Sequence, residues 1–313
     1  MGDEKVIALL LMQQIAVLFL IMGLGFLIVK LGIVKTEDSR VLSMVTIYLV
    51  LPCVTIHAFQ IEYSTKIRNG FLLAVAVAIL IHVVLFVVCG ILRKLLKMDE
   101  VETASLIYSN AGNLILPLVT SILGEEWVIY ASGFLCVQTI IVWTHGQSLM
   151  QGQRQVNLKK IVQNINLIAI LTGLVFFLCN IIHLPKIIDS MTSSLAGMIG
   201  PISMVMIGML LAGVDWKLVF GKRRIYGIVF LKMIVVPGII TLCLKLAAPL
   251  IPMENAKTIL LISLLAVIAP TAVTITQMAQ LYKRDAAYAS SINVFTTLVC
   301  IVTMPLMVML YMI

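Results

Sequence analysis

Two short clusters of polar and helix-breaking residues interrupt an otherwise apolar chain. Residues 108–117 read YSNAGNLILP and bring Asn110, Gly112, Asn113 and Pro117 together. Residues 268–277 read IAPTAVTITQ and supply Pro270, Thr271, Thr274, Thr276 and Gln277. Amides and hydroxyls offer hydrogen bonds without a fixed charge, while glycine and proline weaken or break helices. A helix that restarts after a break points free N–H groups and partial positive charge at whatever occupies the gap. These residue types suit reversible capture of an anion such as a carboxylate. The carbonyls exposed by the same breaks could also coordinate a sodium ion. Covalent chemistry has no matching signal: HExxH, GxSxG, paired mid-span aspartates and GxxxxGK[ST] are all missing from the sequence. The expectation is a protein that is not an enzyme, with no catalytic residue, metal site or cofactor.

The elements that must position these clusters are membrane helices. The 313 residues are 61% hydrophobic and 12% charged, with a mean hydropathy of +1.13. Soluble domains carry about 25% charged residues. About ten stretches reach the ~20 apolar residues that a span needs. They run approximately over 6–29, 40–59, 70–92, 102–123, 127–149, 161–182, 189–213, 225–248, 257–281 and 286–312. The first is too long for a secretory signal, and the segment before it lacks a basic head, so it reads as a retained helix. No stretch is left for a soluble domain. A sensor would need a soluble output domain, and a channel would not need matched helix breaks, so both are disfavoured.

The net charge of +8 is an orientation signal and not a nucleic-acid footprint. Alternate loops hold about fifteen basic residues on one side against five on the other. The richer side belongs in the cytoplasm, which puts both termini on the non-cytoplasmic side of a multi-pass protein, expected in the cell membrane. The six cysteines are scattered singly, without metal or disulfide spacing.

The basic loop 151–160 separates five expected spans from five. An odd number per half makes the second half enter the membrane with opposite orientation, so the halves, 1–150 and 161–313, relate as an inverted repeat. Pro52 and Pro201 fall at corresponding places, as do Pro117 and Pro270. Lipid cannot satisfy backbone freed by a proline, and a matched pair of broken spans marks the substrate site of repeat-built secondary transporters. The fold expected is all-α and polytopic: ten transmembrane helices in two inverted five-helix repeats, with broken fourth and ninth helices.

Ionisable residues inside spans are functional suspects, and few are present. Lys232, about two turns into the eighth span, is expected to snorkel to the interface, with a coupling or gating contact as the competing reading. His82 lies mid-span and reads as a core histidine, with titration as the competing role. Glu102 and Asp285, at span ends, read as helix caps. Gln138 and Asn293 read as interhelical hydrogen-bonding positions. His82, Lys232, Gln277 and Asn293 are together the candidates for coupling or gating.

At these residues the chain resembles the auxin efflux carrier family, which spans bacterial organic-acid permeases and plant auxin exporters. Residues 23–52, GLGFLIVKLGIVKTEDSRVLSMVTIYLVLP, are similar to that family's first loop and second span. NAGNLILP at 110–117 resembles its Asn-x-Gly-Asn-x-x-x-Pro crossover. PISMVMIGMLLA at 201–212 resembles its seventh span, and 269–305, with AQLYKRDAAYASS and TLVCIVTMP, its ninth and tenth. One departure is Asn164-Ile165-Asn166, where bacterial members often read Asn-Pro. The resemblance implies broken helices that cross at their prolines. It implies a site lined by Asn110, Gly112 and Asn113 beside Pro117, and by Pro270 and Thr271 from the other repeat. It further implies a secondary active transporter of malate-like, malonate-like or other carboxylates, working by alternating access. The alternative is a sodium-coupled organic-anion symporter of the related bile-acid class. Expected partners are a small carboxylate, a proton or sodium as coupling ion, the lipid bilayer and, at the level of assembly, a homodimer; nucleic acid is not among them.

Overall fold

The computed structural model describes residues 2–152, 159, 162–179, 184–214 and 216–312, with side chains for all of these except 2–12, 14, 15, 113 and 218. The described residues are helical, and no strand occurs among them beyond a single isolated bridge. Among the described residues, six helices are long and apolar enough to cross a membrane: α2 (Thr36–Ala58), α3 (Thr65–Leu96), α6 (Glu125–Gln151), α8 (Lys186–Ala212), α10 (Arg223–Leu250) and α13 (Ala286–Met312). The shorter apolar helices are the Ala16–Lys30 part of α1 (Gly2–Lys30), α7 (Ile165–Leu178) and α11 (Ala256–Ile268). The remaining pieces are α4 (Glu100–Ile107), α5 (Ala111–Ile122), α9 (Trp216–Gly221) and α12 (Val273–Leu281).

Local chemistry sets the ends of these helices. The Ser64 side chain caps α3 by accepting from the Ile67 N–H. Asp99 and Glu102 form a reciprocal capping box at the start of α4, so Glu102 caps as its position suggests. Asn164 caps α7 by accepting from the Asn166 and Leu167 N–H groups, which gives the Asn-Ile-Asn departure a structural role. Asp285 caps α13 through the Tyr288 N–H at 2.9 Å.

Among the described residues, three helices contain a π turn: Thr46–Val50 in α2, Val142–Gly146 in α6 and Leu231–Val235 in α10. The first and third end just before Pro52 and Pro237. A proline ring clashes with the carbonyl four residues back, and widening the preceding turn relieves that clash without ending the helix. Glycine permits one close helix crossing. A Cβ on Gly208 of α8 would overlap the Met22 carbonyl of α1, and one on Gly25 would overlap the Val205 carbonyl. Small residues of this kind let membrane helices approach backbone to backbone.

One expectation is corrected. The first break does not lie at Pro117, which sits inside α5. The chain leaves helical geometry at 108–110, two turns earlier. Pro117 costs α5 the hydrogen bond to the Asn113 carbonyl, but the helix continues through it.

Candidate binding site at the crossing of two broken helices

The first break runs from α4 through Tyr108, Ser109 and Asn110 into α5. The second runs from α11 through residues 269–272 into α12. They meet as a two-residue antiparallel bridge between Ser109 and Thr271. The Asn110 N–H donates to the Pro270 carbonyl at 2.7 Å, and the Ala272 N–H donates to the Tyr108 carbonyl at 3.0 Å. Each break therefore supplies the backbone partner that the other lost on leaving its helix, as buried polar groups require. In the second break Pro270 disfavours helical geometry at Ala269, whose ψ is 154°. The first break contains no proline. Serine and asparagine there compete with the helix for backbone hydrogen bonds, and the bridge secures the outcome.

Side chains from other helices satisfy most of the remaining carbonyls. Gln138 of α6 donates to the Ser109 carbonyl at 2.9 Å. Lys232 of α10 donates to the Leu106 carbonyl at 3.1 Å, with Ser109 Oγ at 3.5 Å. The Thr271 hydroxyl donates to the Ser105 carbonyl at 3.0 Å, tying the two breaks together. Asn293 of α13 donates to the Thr271 carbonyl. The Thr271 N–H donates to Thr296 Oγ1 at 3.2 Å. The buried Tyr108 ring sends its hydroxyl to His145 Nδ1 at 2.7 Å.

The bridge spends the Asn110 and Ala272 N–H groups and Thr296 takes that of Thr271, so further donors lie in the first turns of the two restarting helices. The first turns of α5 and α12 start at the crossing, and the leading N–H groups of a helix have no acceptor within it. Gly112 faces space: a Cβ built there meets nothing within 4 Å. Asn110 beside it is half-buried. Two half-helix N-termini, an amide and an open glycine face make an arrangement that can hold an anion without a fixed positive charge on the lining.

The structure brings Asn110, Gly112, Pro270 and Thr271 together, and adds Asn293 and Lys232 from the coupling candidates. Pro270 and Thr271 are buried, and the Thr271 hydroxyl is committed to Ser105. Asn113 lies in the first turn of α5, and its side chain is outside the described residues. Pro117 is two turns along α5, where it approaches Gly200 of α8. Gln277 is exposed on α12. His82 is buried, and its Nδ1 lies 2.7 Å from the Ala78 carbonyl. The expected snorkelling of Lys232 does not occur: the residue is 1% exposed. It lies within the π turn of α10, and the carbonyl end of α4 receives it. Gln138, expected to bond between helices, does so at the break itself.

A charged cluster closes one end of the molecule. Arg224 donates to the buried Glu102 through Nη2 at 2.8 Å, and Tyr288 donates to the same carboxylate at 3.0 Å. Lys222 pairs with Asp285 at 2.8 Å. The Lys222 contact and the Tyr288 N–H hold the Asp285 carboxyl below its ordinary range, whereas burial raises that of Asp99. A cavity of about 250 Å³ opens among these groups. It is lined by three cations (Lys97, Lys222, Arg224) and three acids (Asp99, Glu102, Asp285), so its charges balance and it does not favour an anion. At the opposite end His57 bridges Glu125 and Asp189, each at 3.1 Å.

Apolar helices long enough to span, enclosing a bridged pair of broken helices, define a multi-pass membrane transport protein. The family model described as "Membrane transport protein" matches residues 10–166 and 154–308, and the chain belongs to this family, the auxin efflux carrier family. No curated protein matches the sequence.

Proposed function

We propose that this protein is a secondary active transporter of organic anions, mono- or dicarboxylates of the malonate and malate kind. The carboxylate binds where the two breaks cross, against Asn110, Asn113, the Gly112 face and the N-termini of α5 and α12. The observation that carries this reading is the Ser109–Thr271 bridge, which turns two helix breaks into one site at the start of two helices. Ten crossings in two inverted repeats, 1–150 and 161–313, supply the frame: α1, α2, α3, α4 with α5, and α6 against α7, α8, α10, α11 with α12, and α13. Contacts at the two ends support this alternation. Arg284 pairs with Glu100, and its Nε donates to the Met150 carbonyl, while Lys66 pairs with Glu254 at the other end. The end rich in Lys and Arg is cytoplasmic by the positive-inside rule, leaving both termini outside. Alternating access then consists of rocking about the crossing, opening the Glu102–Arg224 end or the His57 end in turn.

The test is uptake of labelled malonate and malate by proteoliposomes. Asn110→Ala and Asn113→Ala are each expected to lower uptake about tenfold, equivalent to ~1.4 kcal/mol, with unchanged insertion. Uptake at the wild-type rate in both variants would remove the site from the crossing.

A further inference from the structure

We propose that Lys232 is the coupling residue: its amine takes up a proton when an organic anion binds at the crossing and releases it when the anion leaves. Protons and anions then move together, and sodium has no part. The inference rests on the anion-transport reading and names the ion coupled to it.

The geometry supports both protonation states. As an ammonium, Lys232 donates to the Leu106 carbonyl and to Ser109 Oγ. As a neutral amine it keeps the first contact and accepts from the serine hydroxyl in the second. No carboxylate pairs with it among the described residues. Its surroundings are His82 and Cys89 from α3 and Cys300 from α13. The break adds Tyr108, whose hydroxyl is engaged with His145. One turn back on α4, Glu102 is committed to Arg224 and Tyr288.

A buried ammonium without a full counter-charge is costly in a membrane interior, and the end of α4 offers only partial negative charge. An organic anion beside Asn110 supplies the missing charge. Anion binding therefore favours the protonated amine, and protonation favours anion binding by the same factor.

Sodium would need a full set of free oxygens, whereas six carbonyls of the crossing are already engaged; of the side chains packed on it, Gln138 Oε1 and Ser105 Oγ are left without a partner among the described residues. The carbonyls of Ser105, Leu106, Tyr108, Ser109, Pro270 and Thr271 each already accept from a protein donor. The ammonium occupies the carbonyl-rich end that a bound cation would use.

The experiment uses full-length protein in proteoliposomes, with membrane potential clamped at zero and malonate and malate as probes. A pH gradient of one unit, acid outside, is expected to drive about tenfold accumulation, and a sodium gradient none. Lys232→Met should abolish gradient-driven accumulation. Lys232→Arg, which stays charged, should still bind malonate but lose the pH dependence of uptake. Accumulation driven by pH in Lys232→Met, or by sodium in the wild type, overturns the proposal. A second measurement needs no variant: adding malonate to the wild type in weak buffer, at a pH where the diacid is fully ionised, should consume about one proton per protein. Malonate binding without proton uptake also overturns the proposal. A wild type that moves neither carboxylate defeats the transport reading itself, before any variant is made.

Discussion

The first break is tied to several helices and the second mainly to one. Around Tyr108–Asn110, the freed backbone is held by Gln138 from α6, Lys232 from α10 and Thr271 from the opposite break. Around Thr271, the ties come from Asn293 and Thr296 of α13, and Cys300 of the same helix lies 3.7 Å from the Ile268 carbonyl. A break held by one helix can travel with that helix as a unit. A break held by several must exchange partners if those helices separate. The only buried lysine at the crossing among the described residues sits at the first break, where that exchange would be sensed.

Removing the bridge should have the largest effect. Ala272 has φ of −64°, which proline adopts without strain. Ala272→Pro therefore fits the local backbone but deletes the donor to the Tyr108 carbonyl and sets the ring Cδ against that oxygen, so the bridge must open. An orphaned buried carbonyl costs ~1–3 kcal/mol, and proteoliposome uptake should fall about tenfold or more. Wild-type uptake would mean that the bridge is incidental. An intermediate effect separates the two breaks. Gln138→Leu should lower stability by ~2 kcal/mol and Asn293→Leu by ~1 kcal/mol, because Gln138 is buried whereas Asn293 is half-buried and its orphaned partner is easier to resolvate. Thermal unfolding in detergent reads both, and the reverse ranking would invert the comparison. The smallest effect is expected from Pro117→Ala. The restored N–H can pair with the Asn113 carbonyl inside α5, so uptake should stay within about twofold and stability should not fall. Loss of transport would return the functional break to Pro117.

The long apolar helices and the second break were legible in the sequence, since apolar length and Pro270 act locally. The first break was displaced by two turns because Pro117 invites a break that α5 tolerates. The true break depends on Gln138, Lys232 and Pro270, all distant in sequence. Lys232 was misread for a related reason. Its depth in the span invites snorkelling, whereas the acceptors that hold it inside, the Leu106 carbonyl and Ser109 Oγ, are created by a break more than 120 residues away in sequence. Asn110 and Thr271 stood out by type. Their division of labour, one beside the open glycine face and one locked to Ser105, required the tertiary contacts.

The glycine crossing of α1 on α8 has a consequence for how the chain is made. Gly25 and Gly208 fit carbonyls of the partner helix, so neither notch is filled until both helices exist. Synthesis proceeds at about 5–20 residues per second, and roughly 180 residues separate Gly25 from Val205, so α1 waits on the order of ten seconds or more in the bilayer for its neighbour. During that interval its grooved face is open to lipid or to any other nascent helix. The pairing of the first helix with a much later one means that this contact can form only after about two thirds of the chain has been made.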